Sequence, residues 1–331
     1  MSCQESISLP LNRLHMRNRR NFSPSVNIGI FRGGLAPRSR CLADHIAEYS
    51  RKKLSNSDDI LNGMLGIFRA YERKSNSTHH YWGLPIEYKP ENYGVEANKW
   101  PKDPEPSLAA GFARSLLWAS DSPSIRRSGF PSWSWTGWLG CISSSAWHET
   151  YPSDLQLEVN FWIELQDGSI IVFENFYNGI KLRQTFSRFS YFLHIEAWTI
   201  QMRFEYKAEF FENELSEPCE PGYYTQFPGT EGTHWLERLE LSQIVEEGST
   251  LHDQLISTPL DGLVLQKIID NKYGRESRLI VLVIRQDIEV AERIGRISFN
   301  FRNCVLDDGF IGEERDRRNR IPITRMTVRL G

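Results

Sequence analysis

Apolar residues recur at helical spacing at Ile60, Leu61, Met64, Leu65, Phe68 and Tyr71, which marks one buried helical face. The pattern predicts helices over 41–53 and 57–73. In the second, Ser57 is the expected N-cap, and Asp58 and Asp59 occupy the first turn, where the helix dipole favours acids. Gly63 and Gly66 interrupt that helix, so another segment is expected to approach closely there. A third helix is predicted over 107–119, capped by Ser107, with Leu108, Phe112, Leu116 and Leu117 facing inward.

From about residue 155 the period changes to two. Leu155, Leu157, Val159, Phe161, Ile163 and Leu165 alternate with Gln156, Glu158, Asn160, Trp162 and Glu164, as in a strand with one wet face. Gln166-Asp-Gly-Ser169 supplies a hairpin turn, and Ile170 to Phe173 returns as the partner strand. Further strands are predicted at 191–206, 262–269, 278–285, 296–301 and 323–330, with 279–284 apolar on both faces and therefore central. Gly295 is expected at a bulge or turn. Residues 207–232, rich in proline and glycine, read as a long loop, and 234–252 as either strand or short helix.

Helices first and strands later predict an α+β fold, a short helical N-terminal part packed against a mainly antiparallel β-rich C-terminal part. The expected organisation is a disordered arm over 1–40, a helical region over 41–150 and a β-rich region over 151–331, the last two forming one domain or two.

Composition changes this picture little. The chain has 331 residues, 40% of them hydrophobic and 24% charged, with a net charge of -3, which suits a soluble globular protein and argues against a dedicated nucleic-acid binder. The arm differs: it carries seven arginines against one acid, Glu5. Cys3, Cys41, Cys141, Cys219 and Cys304 are scattered with no CxxC pair, and read as reduced thiols of a cytosolic or nuclear protein. No apolar run is long enough to cross a bilayer, so no membrane partner is expected.

Sequence signatures of common catalytic and nucleotide sites are missing. The chain has no GxGxxG, P-loop, GxSxG, HExxH or EF-hand loop, so no cofactor and no metal is expected. Adjacent His79 and His80 would face opposite ways on a strand and could not share a metal. Ser249, His252 and Asp253 have the residue types of a nucleophilic triad, but polar loop positions account for them equally simply.

The segment Gly129-Phe-Pro-Ser-Trp-Ser-Trp-Thr-Gly-Trp-Leu-Gly140 places Trp133, Trp135 and Trp138 within six residues. If extended, Trp133 and Trp135 share one face and Ser132, Ser134 and Thr136 the other. Pro131 opens the segment, and Gly137 and Gly140 allow sharp turns beside Trp138. Packed inside, such a row joins helices to sheet. Exposed, it becomes a stacking platform, and a carbohydrate-binding or glycosidase-like β domain is then the alternative. The scarcity of neighbouring charge favours the interior.

Several stretches, in order, resemble the region downstream of the signature core in fungal heterokaryon-incompatibility (HET) domain proteins. They are His45 to Phe68, Tyr81-Trp82-Gly83-Leu84-Pro85, Gly111 to Trp118, Phe130-Pro131-Ser132-Trp133-Ser134-Trp135-Thr136-Gly137-Trp138, and Ala291 to Gly295. The family's core segments, of Ser-His-Cys-Trp-Gly and Asp-Ala-x-Cys-Ile-Asp-Gln type, have no counterpart in 1–40. The resemblance therefore implies a truncated or stand-alone accessory region without catalytic residues. It implies protein partners in fungal self/non-self recognition and the programmed cell death that follows it. Hydrolysis of a nucleotide such as NAD would require the missing core.

Overall fold

The computed structural model describes residues 39–73, 77–86, 107–143, 147, 158–182, 189–208, 220–226, 236–268, 277–301, 305–307 and 320–331. The basic arm up to residue 38, Leu155, Leu157 and most of the two connectors at 74–106 and 207–232 lie outside the described residues. Ser39 and Arg40, expected in the arm, already belong to a helix.

Helix α1 spans Ser39–Ser50 and buries Leu42, Ala43, Ile46, Ala47 and Tyr49. The second predicted helix is broken. Two 3₁₀ turns, Ser57–Ile60 and Asn62–Met64, precede α2, Leu65–Glu72. Its cap is also corrected from Ser57 to Asn56, whose side chain accepts from the Asp58 N–H at 3.1 Å. Ile60, Met64, Phe68 and Tyr71 are buried as the spacing predicts, but Leu61 and Leu65 are only half-buried, and Ile67, outside the predicted face, is buried. The two glycines differ. A Cβ on Gly63 would lie 2.0 Å from the Tyr49 hydroxyl, whereas one on Gly66 meets nothing within 4 Å. Gly63→Ala should therefore destabilise by about 1–3 kcal/mol, and Gly66→Ala should stabilise by about 0.5–1 kcal/mol. Denaturant midpoints of the two variants, moving in opposite directions, check this.

Strands β1 (His79–Tyr81) and β2 (Leu84–Ile86) form a hairpin. Helix α3 (Leu108–Ser115) is capped by Ser107, whose hydroxyl accepts from the Ala110 N–H, and Leu108, Phe112, Leu116 and Leu117 are all buried. The short pair β3 (Ala119–Ser120) and β4 (Ile142–Ser143) brackets the tryptophan segment.

The β-rich part begins with β5 (Asn160–Leu165) and β6 (Ile170–Val172), joined through Gly168 at φ 82°. The return strand stops at Val172. Phe173 starts α4 (Phe173–Lys181), because Phe173, Phe176 and Tyr177 follow helical spacing and bury together. After β7 (Phe189–Met202) come β8 (Glu205–Lys207), β9 (Gly222–Gln226), β10 (Leu236–Arg238) and β11 (Glu240–Leu241). Residues 207–232 thus contain a strand, and 234–252 hold two strands and the start of α5 (Thr250–Ser257). The chain continues with β12 (Leu260–Ile268), β13 (Ser277–Gln286), β14 (Ala291–Phe301), β15 (Val305–Asp307), β16 (Arg320–Pro322) and β17 (Thr324–Leu330).

This is an α+β fold with mainly antiparallel pairing. Thr199 of β7 faces Leu263 of β12 on one edge and Thr324 of β17 on the other. From β12 the ladder runs through β13 to β14, and β14 meets β17 in a parallel contact at Ala291 and Leu330. The strands β7, β12, β13, β14 and β17 therefore close a cycle, leaving β5 and β6 as an extension from β7 and β11 as one from β14. Strand β13 is central, as its two apolar faces demanded: Leu279, Val281 and Val283 join Ile200, Met202, Ile297, Phe299 and Leu255 of α5, while Ile280, Leu282 and Ile284 are equally buried opposite. Beside Gly295 the β13–β14 register slips, so that Ile294 is the extra residue of a bulge.

Aromatic rings join the helices to this sheet. Phe112 of α3 stacks on Phe173 of α4 at 4.7 Å and meets Phe161 of β5 edge-on at 5.2 Å, and Phe176 meets Phe189 of β7 at 5.1 Å. The described residues, from Ser39 on, accordingly form one compact unit.

Candidate functional site

The tryptophan segment is not extended. Ser134 Oγ accepts from the Thr136 N–H at 3.1 Å and starts a 3₁₀ turn over Trp135–Gly137. Gly137 is required at this bend, since a Cβ there would sit 2.3 Å from the Pro131 carbonyl oxygen. Neither face of residues 131–138 is wet: Trp133, Trp135 and Trp138 are at most 2% exposed, and Ser132, Ser134 and Thr136 are fully buried. The indoles present no open row on which a sugar could stack.

Each buried indole N–H finds a carbonyl. Trp118 donates to Trp133 O at 2.8 Å, Trp133 to Tyr191 O at 3.1 Å, Trp135 to Gly83 O at 2.8 Å and Trp138 to Ser132 O at 2.8 Å. Polar neighbours continue the pattern, with Ser134 Oγ donating to Trp82 O at 2.6 Å and Thr136 Oγ1 at 3.3 Å. These bonds clamp the β1–β2 turn, where Trp82 (φ 49°) and Gly83 (φ 87°) both adopt left-handed backbone. That conformation is costly for tryptophan, and the fixed donors hold it in place. Leu84 and Pro85 follow as buried strand residues.

Pro131 is buried and Ser132 bridges two strands. The Ser132 N–H and hydroxyl both reach the Gly331 carbonyl, and its oxygen accepts from the Arg293 N–H at 3.1 Å. It sits where the β14–β17 ladder ends after one residue pair, replacing strand-to-strand bonds with side-chain ones.

The largest omission of the sequence reading is Arg293, fully buried and without a carboxylate among its hydrogen-bond partners. Its Nε donates to Ser242 Oγ at 2.9 Å, Nη1 to Leu116 O at 2.6 Å and Nη2 to Trp118 O, while the guanidinium carbon lies 3.6 Å from the centre of the Trp118 ring. Arg296 donates to Leu117 O at 3.2 Å and pairs with Glu240 at 2.7 Å, and Trp147 donates to Ser115 O at 3.2 Å. Four successive carbonyls at the C-terminal end of α3 are thus satisfied by side chains, two of them cationic, where the helix dipole is negative. Burial, then repulsion from Arg296, pulls the Arg293 pKa well below its ordinary value, with Glu240 opposing.

The histidines turn opposite ways. His79 meets Tyr177 edge-on at 5.7 Å, and His80 stacks on Phe68 at 4.0 Å while its Nδ1 accepts from the Gly83 N–H at 3.3 Å. Burial, with help from neighbouring His79, lowers the His80 pKa to about 4. An unfolded histidine titrates near 6.5, so between that pH and about 4 the unfolded chain takes a proton that the folded one refuses. Stability should be intact above pH 6.5 and fall as pH drops through this window. His80→Gln should flatten the loss by about 2 kcal/mol, as read from urea midpoints at pH 7 and 4.5.

Elsewhere polar clusters serve the fold. Ser249 caps α5 by accepting from the His252 N–H at 3.2 Å, and His252 Nδ1 meets the Tyr223 hydroxyl at 2.6 Å, so Ser249, His252 and Asp253 do not form a relay. Glu164 takes Arg329 through two bonds of 2.8 Å and His194 at 2.8 Å. The Arg329 hydrogen bonds are the main cause of its lowered pKa. Among the described residues no group of three His, Cys, Asp or Glu side chains could hold a metal, and no helix is long and apolar enough to cross a membrane. Comparison with family models, curated proteins and solved structures returns no match.

Proposed function

We propose that this chain works by binding and not by turnover, as the accessory region that follows the signature core in heterokaryon-incompatibility proteins, acting with protein partners in fungal self/non-self recognition in the cytosol. One observation supports the reading above others. The resembling stretches at 81–85, 111–118, 130–138 and 291–295 lie far apart in sequence but meet in one hydrogen-bonded constellation through Gly83, Trp118, Ser132, Trp135 and Arg293. Such a constellation consumes its polar groups in mutual contacts, which suits a rigid platform better than a reacting site.

The test is titration of the purified chain against a separately produced HET core, with NAD and an oligosaccharide panel as parallel substrates. Saturable binding to the core without turnover is expected. Turnover of NAD or an oligosaccharide, or no binding to the core, would remove the proposal.

A further inference from the structure

The tryptophan segment turns its indoles inward, but Leu139, directly after them, is 50% exposed. Its backbone N–H donates to Ile125 O at 2.9 Å, and the antiparallel bridge between Arg126 and Trp138 sets Leu139 opposite Ile125. On the other edge, Ser124 pairs in parallel with Gln243, the Ile244 N–H donating to Ser124 O at 3.0 Å, which sets Ile244 beside Ile125. Residues directly across a ladder share a face. Ile244, Ile125 and Leu139 therefore form one row across three segments joined by these two single bridges, and Ile125 and Ile244 are 61% and 55% exposed.

We propose that this row docks an extended, lysine- or arginine-bearing aliphatic segment of a partner protein. This deepens the binding-module reading and rests on it. Two observations choose the occupant. Three half-exposed aliphatic side chains offer on the order of 300 Å², well short of the roughly 800 Å² per partner that a stable dimer buries, so a second copy is disfavoured and a short segment fits. The unpaired charge next to the row along the chain is negative. Glu246 is exposed two residues past Ile244, and the nearby cation Arg126 turns inward onto the Arg127, Gly137 and Phe130 carbonyls.

The probe is a synthetic peptide alternating leucine and lysine, titrated calorimetrically beside its leucine–glutamate counterpart. Saturation by the lysine peptide at about 10–100 µM is expected, with none by the glutamate peptide. Ile125→Ser/Leu139→Ser should weaken the lysine peptide at least about tenfold, and Ile244→Ser, on a different strand, should do so independently, with thermal unfolding near that of the parent chain. Equal binding to parent and both variants overturns the proposal. So does a preference for the glutamate peptide. A sedimenting dimer that the double variant abolishes would assign the row to a second copy and overturn it as well. If the row fails while the HET core still binds, the interface lies elsewhere; if the core fails while the row binds, the family role is lost and the docking face stays.

Discussion

Trp135→Ala should destabilise the chain by about 3–5 kcal/mol, the usual cost of emptying a large buried aromatic site. Trp135 is 1% exposed, and its N–H is a partner of the Gly83 carbonyl, so the variant both opens a cavity and removes a donor from a left-handed turn. The effect should reach the β1–β2 hairpin, 52 residues earlier in sequence. Hydrogen exchange at Tyr81–Leu84 should rise more in this variant than in Trp135→Phe, which keeps most of the packing. Leu139→Ser, four residues on but exposed, should change stability by less than about 0.5 kcal/mol. If thermal unfolding of Trp135→Ala matched the parent chain, the interior role of the segment would be lost.

The second large effect is expected at Arg293. Arg293→Met keeps much of the aliphatic volume but strips donors from Leu116 O, Trp118 O and Ser242 Oγ in a site closed to water. Removing a charged donor from buried partners should cost about 3–5 kcal/mol. Arg293→Lys should recover only part of this, because an ammonium cannot present the planar fork that spans the Leu116 and Trp118 carbonyls. A double-mutant cycle with Trp118→Leu separates the stacking from the hydrogen bonds: coupling above about 0.5 kcal/mol marks a shared site, and additive losses would show that the 3.6 Å stack contributes nothing.

Locally encoded features were legible. Ser107 caps α3 because a hydroxyl before an apolar stripe has few competing uses, Asp167-Gly168 makes a hairpin because glycine reaches φ 82°, and β13 is central because both its faces are apolar. The failures were local too. Phe173 to Lys181 continues an apolar strand without punctuation, so its helical period was hidden behind Ile170–Val172. Residues 57–64 carry caps and acids fit for an α-helix, but Gly63 lies against Tyr49 and the chain winds more tightly before α2.

What the sequence determined by itself was the helices-first, strands-later division, the α+β class and the concentration of indole into one segment, because helical and strand periods and turn residues act over a few neighbours. The tertiary structure decided where that segment goes. Ser132 meets Arg293 across 161 residues and Arg293 meets Leu116 across 177, and no periodicity carries such distances. An arginine in a strand reads as a wet position until a neighbouring helix end, full of unsatisfied carbonyls, gives its charge a reason to be inside.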